Sequence, residues 1–301
     1  MKIKYEEWSP KPASLALVNH CNAVITQYEH DGLRLTLRQL YYRLVASDII
    51  PNTPRSYKNL GAIVNKARLA GLISWEAIED RGRFLRGFHT FESPEDFITR
   101  KARDYKEDVW SSQRNHVEVW VEKDALIGVI GRAANKRRVD HFSCRGYTSV
   151  TAIWEAAQRF GHITEETGKE VHIIHLGDHD PSGLDMTRDI EDRLRLMIGS
   201  TPFFVHRIAL SMAQIEEYEP PPNPAKLTDS RIDGYMERYG TESWELDALE
   251  PAVLDRIIIE AIDKYIDRSS MDAELIHEEF NRDTLSLVAD YWGDVEELVR
   301  G

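Results

Sequence analysis

Three acidic residues in this chain are spaced so that they could share a metal ion. Glu122 follows Val117-Glu118-Val119-Trp120-Val121. Asp178 and Asp180 follow Val171-His172-Ile173-Ile174-His175-Leu176, within Gly177-Asp178-His179-Asp180-Pro181-Ser182-Gly183. Both apolar runs read as strands, so the carboxylates should emerge at strand carboxyl ends, where open α/β sheets gather ligands. Brought together, they would repel one another unless a cation neutralised them. An all-oxygen donor set suits a hard divalent ion, Mg²⁺ or Mn²⁺, that keeps some waters and meets substrate phosphates. Glu122 could instead act as a general acid or base. Gly177 permits a sharp turn, and Gly183 permits close approach of backbone or ligand. On this reading, removing Asp178 and Asp180 together relieves repulsion and leaves the metal-free protein at least as stable.

A second group able to do chemistry is Tyr42, in Thr36-Leu37-Arg38-Gln39-Leu40-Tyr41-Tyr42-Arg43-Leu44-Val45. Leu37, Leu40, Tyr41, Leu44 and Val45 follow the i, i+3, i+4, i+7, i+8 pattern of one buried helix face, with Thr36 as N-cap. Tyr41 belongs to that stripe. Tyr42 lies off it, on the side of Arg38, which predicts a phenol aimed away from the core. A phenol ionises only near pH ~10, so attack on a phosphodiester needs help, and Arg38 is the nearest group to stabilise a phenolate.

The elements that must position these groups fall into two halves. Residues 1–30 read as an arm and a helix, with Leu15, Leu17, Val18 and Ile25 apolar. After the turn Ile50-Pro51-Asn52-Thr53-Pro54, a helix is predicted from about Tyr57 to Ala70. Leu60, Ile63, Val64 and Ala67 face inward, and Gly71 caps the end. Leu72-Ile73-Ser74-Trp75 then starts a wing strand. Helix, turn, basic helix and wing is the order of a winged helix-turn-helix, with Lys58, Lys66 and Arg68 outward toward phosphate. The polar, charged stretch from Phe91 to Gln113 reads as helical and serves as a linker. Beyond it, strands at 117–121, 142–144, 171–176 and 203–208 alternate with helices. One helix is marked by Val150, Ile153, Trp154 and Ala157, the other by Ile190, Leu194 and Met197. That alternation predicts an α/β half with a mainly parallel sheet. The division is therefore 1–30, 31–112 and 113–301, the last ending in helices.

Charge follows the same division. The chain carries a formal net charge of −13, yet ten basic residues lie between Arg34 and Arg86 against Asp48, Glu76, Glu79 and Asp80. A basic segment joined to an acidic one suggests a DNA-docking module beside a metal-binding module. Cys21 and Cys144 form no metal-spacing motif, which argues against zinc and favours a reducing, cytoplasmic setting. No apolar run approaches the ~20 residues of a membrane span, and Met1 to Glu7 lacks the apolar run of a signal peptide.

The motif pair Val119-Trp120-Val121-Glu122-Lys123 and Gly177-Asp178-His179-Asp180-Pro181-Ser182-Gly183 resembles the Toprim domain of topoisomerases, primases and related nucleases. The Asp-x-Asp-Pro-x-Gly form is most similar to the A subunit of topoisomerase VI and to the related protein that makes meiotic double-strand breaks. Trp244-Glu245-Leu246-Asp247-Ala248-Leu249 is similar to their acidic-hydrophobic C-terminal segment. Arg38-Gln39-Leu40-Tyr41-Tyr42 is similar to the segment carrying their nucleophilic tyrosine, and Tyr42 falls on that position. Lys66-Ala67-Arg68-Leu69-Ala70-Gly71-Leu72-Ile73 resembles their basic helix and wing. The order of modules agrees, since type IA topoisomerases place Toprim first.

The resemblance implies a winged helix followed by a Toprim domain, working on duplex DNA. It implies Tyr42 as nucleophile and Glu122, Asp178 and Asp180 as metal ligands. It also implies a two-fold dimer in which one subunit's tyrosine faces the other's acidic cluster. No ATPase sequence is present, so ATP-driven strand passage would need a separate subunit. The segment Pro220-Pro221-Pro222-Asn223-Pro224-Ala225-Lys226 has no counterpart in the family pattern. Two other readings of the same residues stand beside this one. The first is a scaffold that binds duplex DNA or its ends without cutting. The second is a nuclease that uses metal-activated water.

Overall fold

The computed structural model describes residues 1–30, 34–79, 88, 90–225 and 228–300. Asp80, Arg86 and Lys226, named above, lie outside them, as do Arg81 and Arg83 of the basic segment. In chain order the elements are α1 (Pro12–His30), α2 (Leu37–Ala46), α3 (Pro54–Leu69), α4 (Pro94–Asp104), β1 (Asn115–Val121), α5 (Ile127–Asn135), β2 (Asp140–Ser143), α6 (Val150–Thr167) and β3 (Glu170–Leu176). There follow α7 (Pro181–Ile198), β4 (Phe203–Ala209), α8 (Met212–Tyr218), β5 (Asn223–Pro224), α9 (Ile232–Tyr239), β6 (Glu242–Ser243), α10 (Pro251–Asp263), α11 (Arg268–Asp290) and α12 (Trp292–Arg300).

β1 to β4 form one sheet in the order β2-β1-β3-β4, and every pair is parallel. The sheet has two covered faces, because successive side chains along a strand point opposite ways. Val117, Val119 and Val121 of β1 pack with Ile174 and Leu176 of β3 against α5 and α10. Trp120 packs with Val171 and Ile173 against Ile153, Ala157 and Phe160 of α6 and Ile190 and Leu194 of α7. The result is a Rossmann-like α/β/α sandwich. Val150 and Trp154 of α6, expected inward, are exposed; the buried stripe of that helix is Ile153, Ala156, Ala157 and Phe160. No helix among the described residues is long and apolar enough to cross a membrane.

A charged residue, Glu118, lies inside this sandwich. Glu118 projects from β1 on the same face as Trp120, and its carboxylate accepts from Arg159 Nε at 2.8 Å and Nη2 at 2.9 Å, and from Trp120 Nε1 at 2.9 Å. His116 Nε2 lies 3.1 Å away. Burial pulls this carboxyl upward, but His116, Arg159 and Trp120 overrule it and hold it down at about 2. A carboxylate depressed in the folded state contributes stability above its unfolded pKa and loses it as pH falls through the folded value. With Arg159 partly screened by solvent, the contribution is on the order of 2 kcal/mol. Glu118→Gln is therefore expected to lower the urea midpoint at pH 6, and the gap to the unsubstituted protein should narrow between pH 5 and pH 2. A gap independent of pH would show that the carboxylate charge plays no part.

The N-terminal half is a helical module. Leu17, Val18, Cys21 and Ile25 of α1 share one core with Leu40, Tyr41, Tyr42 and Leu44 of α2 and Leu60, Val64 and Ala67 of α3. Leu15, expected among the apolar contacts of α1, is exposed. Thr36 caps α2 in a full capping box with Gln39, and Gly71 follows the α3 cap with φ +72°. Both match the sequence expectation. The wing strand does not form at Leu72 to Trp75, which are turn and bend. Ile73 is drawn into the module core, and the Trp75 amide bonds to the carbonyl of Met1 at 3.0 Å. The polar stretch is helical over Pro94–Asp104, as expected, and α4 packs along α11.

Candidate active site

β1 is central, β2 lies on one side of it and β3 on the other. The crevice between β1 and β3 is therefore a topological switch point, the place where open α/β sheets bind ligands. Glu122 leaves β1 here and Asp178 leaves β3. Glu122 Oε2 accepts from the Asp178 amide at 2.9 Å. Asp180 is the N-cap of α7, accepting from the Gly183 amide at 2.6 Å and from Ser182 Oγ at 3.0 Å.

Two glycines make this approach feasible. A Cβ on Gly183 would sit 2.3 Å from the Asp178 carbonyl oxygen and 3.1 Å from Glu122 Oε2. A Cβ on Gly177 would sit 3.0 Å from Glu122 Oε2 and 3.1 Å from Arg207 Nη1. Close approach, expected for Gly183, thus governs Gly177 as well.

The carboxylates are partly neutralised by side chains. Lys123 Nζ lies 2.8 Å from Asp178 Oδ2, 3.0 Å from Glu245 Oε2 and 3.2 Å from Asp247 Oδ1. Asp178 Oδ1 also accepts from the Leu246 amide at 2.8 Å. Arg207, half-buried on β4, donates to the carbonyls of Gly177 and Asp178 at 3.0 and 2.6 Å and to that of Gly183 at 3.0 Å, bracing the loop from below. Burial, with Glu122 adding, pushes the Asp178 carboxyl up to about 6 against Lys123 and the Leu246 amide. Burial, with Glu245 and Asp178 adding, does the same to Asp247, also to about 6. Glu122 is raised too, by burial first and by Asp180 among the charges.

Among the described residues, no three His, Cys, Asp or Glu side chains converge in a metal-holding geometry. The donor set nevertheless suits a hard cation. It is all oxygen, sits at a switch point, keeps a cradle that a Cβ would fill, and carries more carboxylates than Lys123, Arg38 and Arg207 neutralise. The expectation that losing Asp178 and Asp180 costs no stability is reversed by this geometry. One of them caps α7, and the other pairs with a half-buried lysine.

The 245–250 segment joins the two halves. Its place is set by paired backbone bonds, His179 N to Trp244 O at 2.8 Å and Trp244 N to His179 O at 3.0 Å. Asn223, in the Pro220–Lys226 stretch, pairs with Ser243 and accepts from Asn52 Nδ2 at 2.9 Å, so that stretch splints the helical module to the sheet. From α2, Arg38 forms ion pairs with Glu245 and Asp247, and Arg43 Nη2 lies 2.5 Å from Glu250. Arg38 lines both a cavity of ≈ 310 Å³ over Glu122 and one of ≈ 470 Å³ beside Tyr42.

Tyr42 departs from expectation. Its side chain is not aimed at solvent but is 3% exposed, because Ala248 and its neighbours cover the flank that a lone helical wheel leaves open. Burial first, then Glu245 and Asp247, push its phenol upward, while Arg38 and Asn223 oppose them. Arg38 lies 5.8 Å from the ring centroid but is committed to two carboxylates. Tyr41 is in the core as expected, its hydroxyl donating to Asn52 Oδ1 at 2.9 Å.

Lys58 and Lys66 are exposed on α3, as expected. Arg68 is not outward: it donates to the Trp75 carbonyl at 2.7 Å and stacks 4.7 Å from the Trp75 ring centroid, closing the turn after α3. Lys123, Arg207, Glu245 and Asp247 were not among the expected site residues. Of these, Lys123, Glu245 and Asp247 lie in motifs already singled out, whereas Arg207 sits mid-strand with no local signal. No protein-family model, curated protein or solved structure matches this chain.

Proposed function

We propose that this chain is a metal-dependent, topoisomerase VI A-like protein that binds duplex DNA and breaks it through a phosphotyrosine at Tyr42. The observation that carries the reading is that Glu122 and Asp178 leave adjacent strands at one switch point, where Glu122 accepts from the Asp178 amide, with Arg38 of the Tyr42 helix reaching the carboxylates of Glu245 and Asp247 beside them. Glu122, Asp178 and Asp180 would hold Mg²⁺ or Mn²⁺, whose chemistry is Lewis-acid stabilisation of a phosphate and its leaving oxygen. Tyr42 would attack phosphorus in line, forming the phosphotyrosine as the bond to the 3′-oxygen breaks, and Glu122 would pass a proton to that leaving oxygen as the phenol gives up its own. The helical module, read as a winged helix, holds the duplex. The working form is a two-fold dimer, with any ATPase on a separate chain.

One observation favours a second reading. The burial of Tyr42 and its raised phenol suit a nuclease in which water, not tyrosine, attacks. Tyr42→Phe separates the two, since it removes one oxygen and keeps the ring. With labelled supercoiled DNA and Mn²⁺, detergent trapping is expected to show a covalent adduct in the unsubstituted protein and none in Tyr42→Phe. Equal cutting by both, without adduct, would establish the water route. Binding by both, without cutting under any metal, would leave a DNA-binding scaffold.

DNA affinity is expected to be electrostatic. Lys58→Ala and Lys66→Ala should each weaken binding to all sequences alike and lower the slope of log K against log salt by about one. Arg68→Ala should instead lower stability, because its bonds are internal. Anisotropy titrations at several salt concentrations check both, and an unchanged slope in the lysine variants would place the DNA elsewhere.

A further inference from the structure

Lys123 occupies an unusual position for a lysine. Its side chain is 22% exposed, and its ammonium touches carboxylates from two separate segments: Asp178 after β3, and Glu245 and Asp247 before α10. Asp178, Glu245 and Asp247 share two cations, Lys123 and Arg38. So placed, Lys123 stands on Asp178 Oδ2, an oxygen that a divalent ion at this crevice would need.

We propose that Lys123 is a resident counter-ion that holds Asp178 in the metal-free protein and withdraws onto Glu245 and Asp247 when a divalent cation binds. The proposal rests on the metal-binding reading above and adds the step that makes the crevice competent. Two features support it. First, the withdrawal leaves no charge stranded. Lys123 already lies 3.0 Å from Glu245 and 3.2 Å from Asp247, and with Arg38 it leaves that pair of carboxylates balanced. Second, Asp178 does not need Lys123 to keep its orientation, because the Leu246 amide holds Oδ1 at 2.8 Å and only Oδ2 is released. A lysine suits this task where an arginine would not. Its point charge on a flexible four-carbon stem can change partners without rebuilding a planar fork of hydrogen bonds.

The test is calorimetric titration of the full-length chain with MnCl₂. Lys123→Met removes the competing charge and is expected to tighten Mn²⁺ binding at least about tenfold. Asp247→Asn weakens the place of withdrawal and is expected to loosen binding several-fold, although Asp247 is no ligand in this reading. Equal or weaker binding by a folded Lys123→Met protein overturns the proposal while leaving the metal reading intact. No Mn²⁺ binding by any of the three proteins overturns both. Should Lys123→Met fail to fold, a structure of the unsubstituted protein with Mn²⁺ decides. Lys123 Nζ is expected beyond about 4 Å of Asp178 Oδ2, outside salt-bridge range; a retained contact at 2.8 Å overturns the proposal.

Discussion

Gly183→Ala is expected to lose about 3 kcal/mol of stability and nearly all divalent-ion affinity. The added Cβ would lie 2.3 Å from a backbone oxygen, that of Asp178, and backbone cannot swing aside as a side chain can. The first turn of α7 would have to shift outward, carrying its cap Asp180 away from Glu122 and Asp178. Overpacking of this kind typically costs ~1–3 kcal/mol, and the buried, braced loop places it at the upper end. Gly161→Ala is the control. Gly161 lies within α6, and a Cβ there meets nothing within 4 Å. It should stabilise by about 0.5–1 kcal/mol through helix propensity alone. Urea unfolding with Mn²⁺ calorimetry checks both. Normal metal binding in Gly183→Ala would show that the crevice is not the ion's place.

Replacing Asp178 and Asp180 together by alanine is expected to abolish Mg²⁺ binding and to destabilise the metal-free protein by about 2–4 kcal/mol. The sign of the stability change is what distinguishes this structure from a bare acidic cluster. Relief of repulsion alone would raise stability. Here Asp180 caps α7, a role worth ~0.5–2 kcal/mol. Loss of Asp178 leaves the Leu246 amide without its acceptor, at ~1–3 kcal/mol for a buried donor. Lys123 keeps two of its three carboxylates, which limits the loss. A metal-free double variant as stable as the parent would mean that these contacts are not maintained in solution. Unchanged Mg²⁺ affinity would remove both residues from the ligand set.

The sequence by itself determined where the carboxylates emerge. Strand position follows from runs such as Val171 to Leu176, whose continuous apolar character leaves few alternatives to a strand covered on both faces. The residues just after such a strand must lie at its carboxyl end, which fixes the places of Glu122 and Asp178. Capping by Thr36, the turn at Gly71 and the room needed at Gly183 were legible for the same reason, because each rests on local backbone chemistry.

Only the tertiary structure decided what those groups touch. Tyr42 lies off the stripe of its own helix, and a helical wheel cannot register a second surface that arrives from 200 residues later and buries it beside Ala248. Arg68 carries the signature of an exposed basic helix end, yet the loop it would precede folds back and takes its hydrogen bonds. Strand order placed Glu122 and Asp178 at a switch point, and pairing of the 242–245 segment with Asn223 and His179 brought Glu245 and Asp247 over them. These are contacts between residues far apart in the chain. Their partners are chosen by packing and charge neutralisation once the sheet exists, and a single strand or helix carries no record of that choice.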